Sequence, residues 1–379
     1  MKVVIAPDSF KESLTALEVA QCMEDGFKEV FPNAEYVKVP LADGGEGTVQ
    51  SLVDATAGKI RTAIVTGPLG EKVSAFYGML GDGKTAVIEM AAASGLHHVH
   101  ESERNPLKTT TFGTGELLLD AVREGAEHVI IGLGGSATND GGAGMAQALG
   151  VRLLNASGEE IGYGGGALSE LASIDRTNLN PLFHNVTIEV ACDVDNPLTG
   201  PKGASYVYGP QKGATESMMQ TLDENLTHFA EIVSRDIGRN VRDVKGAGAA
   251  GGLGAGLLAF LPCELRRGID IVFEAVELEE KLSGADFVIT GEGRIDHQTI
   301  YGKTPIGVAK AAKKYQLPVI CIAGSIGDGS EVVYEHGIDT LFSVVNRPGT
   351  LQGALDHAKE NIKSTTSNVA RLMKLAIHT

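Results

Sequence analysis

Two rhythms of apolar and polar positions divide the chain. Residues 2–6 (Lys2-Val3-Val4-Ile5-Ala6) form a short apolar run that stops at Pro7-Asp8-Ser9-Phe10-Lys11. Such a run without alternation, bounded by breakers, predicts a strand buried on both faces. Thr15-Ala16-Leu17-Glu18 has the spacing of a capping box and predicts a helix running toward Phe31-Pro32. Residues 35–40 predict a second strand. It ends in Ala42-Asp43-Gly44-Gly45-Glu46-Gly47-Thr48, and a helix follows to about Ala57. The same rhythm returns after about residue 285, with strands predicted at 287–290, 318–323 and 340–345 and a last helix at about 351–375. The middle reads differently. Residues 63–66, 73–80 and 84–90 predict antiparallel strands joined by Gly-Pro and Gly-Asp-Gly turns. Further strands are expected at 128–132, 151–154 and 186–192, alternating with helices near 116–124 and 218–237. Residues 246–256 read as a glycine–alanine loop running into an apolar helix.

The fold class expected from this order is α/β with two domains. A Rossmann-like parallel-sheet domain is built from both chain ends, 1–60 and 285–379. A mixed-sheet α/β domain is inserted at 61–284, with the active site expected in the cleft between the two. Open α/β sheets bind ligands at the carboxyl ends of their strands, so the polar loops there are the places to look for chemistry.

The most loaded of these loops follows the predicted strand 287–290: Gly291-Glu292-Gly293-Arg294-Ile295-Asp296-His297-Gln298-Thr299, then Tyr301-Gly302-Lys303-Thr304-Pro305. It combines two acids, two fixed cations and glycines that let backbone N–H groups approach an anion. Asp8, Ser9 and Lys11 follow the first strand, and Asp43, Gly44, Gly45 and Glu46 the second. Taken singly each is an ordinary loop residue; together they converge on one sheet edge. Gly132-Leu133-Gly134-Gly135-Ser136-Ala137-Thr138-Asn139-Asp140-Gly141-Gly142 joins a predicted strand to a predicted helix and could hold phosphate and metal together. Asp193 and Asp195 point the same way if their strand continues past Cys192, and so could share a cation; the plainer alternative for Asp195 is a turn before Pro197. Lys212 sits in Gly209-Pro210-Gln211-Lys212-Gly213, which alone reads as a surface turn.

Three patterns are weaker. Gly78–Thr85 matches a phosphate-loop spacing, but strands flank it and Gly81-Asp82-Gly83 is a hairpin turn. Gly246-Ala247-Gly248-Ala249-Ala250-Gly251 matches a dinucleotide fingerprint without the buried strand that should precede it, leaving Gly248 and Gly251 as a close-packed helix entry or a phosphate contact. His97, His98 and His100 have poor metal spacing and are expected to be a solvated loop.

Composition narrows the partners. Across 379 residues the net charge is −16, which argues against nucleic acid and anionic membrane surfaces. No apolar run approaches a membrane span, and four widely spaced cysteines suggest reduced thiols, so a soluble cytoplasmic protein, monomer or homodimer, is expected.

Taken in order, the segments 6–11, 40–48, 134–142, 191–198, 209–214 and 290–303 resemble the bacterial glycerate kinase family, the type that phosphorylates the 2-hydroxyl. The resemblance covers essentially the whole chain. One departure is Glu12, where glycine is expected. The resemblance implies ATP as donor, Mg²⁺ as cofactor and D-glycerate as acceptor. Within it, Asp193, Asp296, Lys11 and Glu292 are the candidate catalytic residues. Asp8, Ser9, Asp43, Gly44, Gly45, Glu46, Gly134, Gly135, Ser136, Thr138, Asn139, Lys212, Gly248, Gly251, Arg294 and Lys303 are candidates for binding substrate or nucleotide. Asp193, Asp195 and Asp140 are candidates for metal. A kinase for a related hydroxy acid, or one acting at the 3-hydroxyl, and a non-catalytic sugar-acid or nucleotide sensor are the alternatives.

Overall fold

The structure is a computed structural model describing residues 1–377. The strands of its two main sheets are β1 (Lys2–Ile5), β2 (Glu35–Lys38), β3 (Lys59–Thr66), β4 (Lys72–Met79), β5 (Thr85–Glu89), β6 (His128–Gly132), β7 (Thr187–Ala191), β8 (Cys263–Arg266), β9 (Phe287–Thr290), β10 (Val319–Ala323) and β11 (Thr340–Ser343). Two compact units contain them. The first comprises Met1–Asp43, Gln50–Ala57 and the chain from Ile269 on; the second comprises Gly44–Val49 and Gly58–Gly268. Residues 44–49 therefore pack with the second unit and 269–284 with the first, the reverse of the partition expected from the sequence.

In the first unit a wholly parallel sheet has the order β11-β10-β9-β1-β2. Val3, Ile5, Ile289 and Ile322 share a cluster with Val19, Ala20, Met23 and Phe27 of the helix Ala16–Lys28 and with Ile362, Val369 and Ala370 of the helix Ala358–Ile377. Val4 and Val288, on the other face, are also fully buried. Burial on both faces is why these strands carry no polar alternation. The first helix starts as its capping box dictates: Glu18 N donates to Thr15 Oγ1 at 3.2 Å and Thr15 N to Glu18 Oε2 at 3.1 Å. Before it, Glu12 holds φ 63°, a left-handed conformation that costs a side-chain-bearing residue about 1 kcal/mol, which is the physical content of its departure from glycine.

The second unit has a six-stranded sheet in the order β8-β7-β6-β5-β4-β3, with β5 to β8 parallel and β3–β4 and β4–β5 antiparallel. Its core joins Tyr77, Ile88, Val129, Ile131, Ile188 and Val190 to Leu117, Leu118 and Phe229 of flanking helices. The phosphate-loop look-alike at 78–85 is the β4–β5 hairpin. The predicted strand at 151–154 forms as Arg152–Leu154, but it pairs with Ser173–Asp175 in a separate two-stranded sheet. The last helix is two, Leu351–Asp356 and Ala358–Ile377.

Candidate active site

In the first unit the chain order along the sheet reverses between β1 and β9, and at such a switch point the loops leaving adjacent strands part to form a crevice. Asp8 and Glu292 lie at the carboxyl ends of these two strands. Asp8 N donates to Gly291 O at 2.8 Å, tying the two loops together. Asp8 is 9% exposed and Glu292 7%. Asp8 Oδ2 accepts from Thr304 Oγ1 at 2.5 Å, and Oδ1 from Ser9 N at 2.6 Å. Glu292 Oε1 accepts from Thr299 Oγ1 at 3.0 Å and from Lys303 Nζ at 3.1 Å.

Burial pushes Asp8 up to about 6; the Thr304 hydrogen bond opposes the shift and the Asp43 charge adds to it. Burial likewise pushes Glu292 up to about 7, with Lys303 opposing and the Asp8 charge adding. Two neighbouring acids, each held close to neutral pH by desolvation, are equipped to take up a proton or to receive a cation. Thr304 opens the helix Thr304–Lys314, with Pro305 in its first turn, so the hydroxyl that orients Asp8 is set by a helix start.

The other candidates in this unit divide. Asp296 Oδ1 accepts from Gln298 N at 2.9 Å, while Arg294 Nε lies 3.2 Å from Oδ2, so this carboxylate fastens its own loop. Arg294 and Lys11 are exposed. Lys303 is paired with Glu292 and partly exposed.

In the second unit, the carboxyl ends of β5 to β7 are covered by the 44–49 loop. A Cβ on Gly44 (φ +95°) would lie 2.6 Å from Gly268 Cα and 3.4 Å from Ala191 Cβ, so only glycine fits this seat. Glu89, which ends β5 and which sequence reasoning missed, accepts from Val49 N at 3.0 Å and from the amides of Gly47 and Thr48. It anchors the loop that carries Gly45 and the exposed Glu46.

The glycine loop after β6 is open at Gly134, where a Cβ would meet nothing within 4 Å. Gly135 has φ +67°, and Ser136 is buried. Beyond it the loop turns inward. Thr138, Asn139 and Asp140 are fully buried, and Asn139 Nδ2 donates to Ser205 Oγ at 3.2 Å. Asp140 accepts from Thr111 N (2.8 Å), Thr111 Oγ1 (2.9 Å), Gly142 N (3.1 Å) and Gly144 N (3.3 Å). Its oxygens are occupied by Thr111 and by the amides of Gly142 and Gly144, which argues against its place among the metal candidates. Asp140→Ala strands four buried donors and is expected to lower unfolding stability by about 3 kcal/mol or more in urea titrations. A loss under about 1 kcal/mol, coupled to altered metal dependence of turnover, would return Asp140 to the metal list.

Lys212 is no surface turn. It is 1% exposed and donates to Thr138 O at 2.6 Å; burial pushes its pKa down to about 7 against the opposing pull of Asp140. Gly248 and Gly251 are close-packing positions: a Cβ would lie 2.2 Å from Pro197 O and 1.9 Å from Thr138 O respectively, so neither tolerates a side chain. β7 ends at Ala191, so Asp193 and Asp195 do not share a strand face. Asp193 Oδ1 accepts from Gly268 N at 3.1 Å, whereas Asp195, 81% exposed, pairs with Lys245 at 3.1 Å. Among the described residues no three His, Cys, Asp or Glu side chains gather as a metal group. Nor is any described helix long and apolar enough to cross a membrane.

Comparison with known proteins identifies the family. The profile of the "Glycerate kinase family" matches residues 3–374. A glycerate kinase of Bacillus subtilis is 64% identical over 99% of this chain and 98% of its own. The glycerate 2-kinase of Escherichia coli is 58% identical over 100% of this chain and 99% of its own. The crystal structure of a protein assigned as glycerate kinase 2 from Salmonella typhimurium LT2 superposes with a TM-score of 0.93 at 57% identity, covering 100% of both chains. With a family profile spanning almost every residue and relatives this similar over their full lengths, the chain belongs to the glycerate kinase family.

Proposed function

We propose that this protein transfers the γ-phosphoryl group of ATP to the 2-hydroxyl of D-glycerate, giving 2-phosphoglycerate and ADP. The observation that supports a catalytic rather than a sensing role is the buried pair Asp8 and Glu292, with Lys303 beside it. A site built only to bind an anion gains nothing from two acids held near their protonated forms.

Glu292 is the group proposed to orient the 2-hydroxyl and accept its proton, because its raised pKa lies near the operating pH of a general base. The hydroxyl oxygen bonds to the γ-phosphorus as the bond to the β–γ bridging oxygen breaks, and the electron pair leaves with ADP. Lys303, Arg294 and Lys11 are the cations proposed to neutralise carboxylate and phosphoryl charge. In the second unit, taken by itself, the exposed glycines Gly134 and Gly135 are proposed as an anion contact.

Asp8 and Asp43 fit Mg²⁺. They are hard oxygen donors that repel each other across a partly desolvated space, and Mg²⁺ commonly takes one or two carboxylates together with substrate phosphates. When bound, the ion would neutralise charge on the transferring phosphoryl group.

The test is ADP release from MgATP with and without D-glycerate, with the product assigned by ³¹P and ¹H NMR. Release that requires D-glycerate and yields the 2-phosphate is expected. Release independent of D-glycerate, or none, overturns the activity, and a 3-phosphate overturns the regiochemistry.

A further inference from the structure

The histidines at 97, 98 and 100 are not equivalent. His98 Nε2 pairs with Ala92 O at 2.9 Å and His100 Nδ1 with Ser102 Oγ at 2.7 Å. Among the described residues the His97 ring has no hydrogen-bond partner, and it packs against its neighbour, its ring centroid 4.1 Å from that of His98.

Its position is fixed by the glycine loop. Leu96 N donates to Gly135 O at 2.8 Å and Ala137 N to Ser94 O at 2.9 Å, with Gly95 bridged to Ser136 between them. A Cβ on Gly95 would lie 2.7 Å from His97 Cε1 and 2.3 Å from Ala91 O, so the ring is folded back over the backbone that is zipped to Ser136. This is the same stretch where the loop is open at Gly134. Burial and His98 push the His97 pKa down, and the charge of Glu46 opposes them. The ring is thus neutral near pH 7, with two uncommitted nitrogens, beside a loop whose amides have room for an anion.

We propose that His97 binds an anionic oxygen of a substrate held at the Gly134–Ser136 loop. The chemistry recognised is a phosphate oxygen of the nucleotide or the carboxylate of glycerate. The proposal rests on the phosphotransferase reading of this site, and it turns the segment expected to be solvated into part of the site.

The experiment uses the full-length protein. Imidazole ¹⁵N resonances of His97 are followed on adding MgATP, D-glycerate or inorganic phosphate separately, against sodium chloride of equal ionic strength. In parallel, KM and kcat are measured for wild type, His97→Ala and His100→Ala. The expected result is that one substrate moves the His97 resonances and that His97→Ala raises the KM of that same substrate about tenfold with kcat nearly unchanged, while His100→Ala changes neither. A MgATP response identifies the phosphate; a D-glycerate response identifies the carboxylate. The proposal is overturned if no ligand moves the resonances, or if both KM values stay within about twofold of wild type. Equal loss for both substrates with a lowered Tm overturns it too, since that is a structural role. Should wild type show no glycerate-dependent turnover, the kinase reading fails, and the resonance shifts alone decide for or against His97.

Discussion

Glu292→Gln is expected to lower kcat by a factor on the order of 10² to 10³ while leaving nucleotide affinity nearly intact. Glutamine preserves the shape of the side chain and an acceptor for Thr299 and Lys303, so the loop keeps its form. What it loses is the capacity to take the hydroxyl proton. In wild type, kcat/KM should rise as pH increases through about 7, because the deprotonated form is the competent one and burial holds its titration there. The variant should lose that limb. Equal turnover in the variant would remove Glu292 from the role of base. The competing acid, Asp296, already serves Gln298 N and Arg294, and its replacement by asparagine is the comparison that ranks the two.

Asp8→Asn should make the protein more stable and nearly inactive at the same time. The Asp8 carboxyl titrates at about 6 in the folded protein, against 3.8 for the free side chain. Between those values the folded state holds a proton that the unfolded chain has released, so folding is favoured relatively at low pH and this contribution is lost as pH rises through about 6. Above that, ionised Asp8 is a liability of roughly 1–3 kcal/mol. Removing the charge should therefore raise unfolding stability by about that amount near pH 8, and the gain should vanish near pH 4. Turnover should fall by on the order of 10² or more if Asp8 holds the metal–phosphate side of the reaction. A variant that is destabilised at high pH, or that turns over normally, sinks the idea that the acid is strained for function. Lys303 sets a limit on the effect, since it lies against Glu292 and lowers the cost of the second charge.

Fold legibility followed burial. Strands such as β1 and β9 lie between helical layers, so their apolar runs mark them without any alternation. β8 escaped notice because Cys263-Glu264-Leu265-Arg266 is a half-exposed edge strand whose pairing with β7, rather than its own composition, makes it a strand. The site divided along the same line. Asp8 and Glu292 stand immediately after recognisable strands, and topology brings them together. Glu89 also follows a strand, but its role depends on amides 40 positions earlier in the chain, which no local pattern encodes. Asp140 and Lys212 had the residue types of a phosphate and metal site. Their tertiary setting instead commits Asp140 to four donors from Thr111, Gly142 and Gly144, and Lys212 to the carbonyl of Thr138, and only the folded structure reveals these partners.

The first sheet has a consequence for how the chain is made. β1 pairs on one side with β2 and on the other with β9, and the bond from Thr290 Oγ1 to Ala6 O closes a separation of 284 positions. At ribosomal rates of roughly 5–20 residues per second, β1 emerges on the order of 15 to 60 seconds before β9 exists. During that interval its apolar edge is open, while residues 58–268, contiguous in sequence, can assemble their own sheet. The N-terminal strand, with β2 available on one side, thus keeps its other edge open until the last quarter of the protein is made, a period in which chaperone dependence and sensitivity to C-terminal truncation should both be greatest.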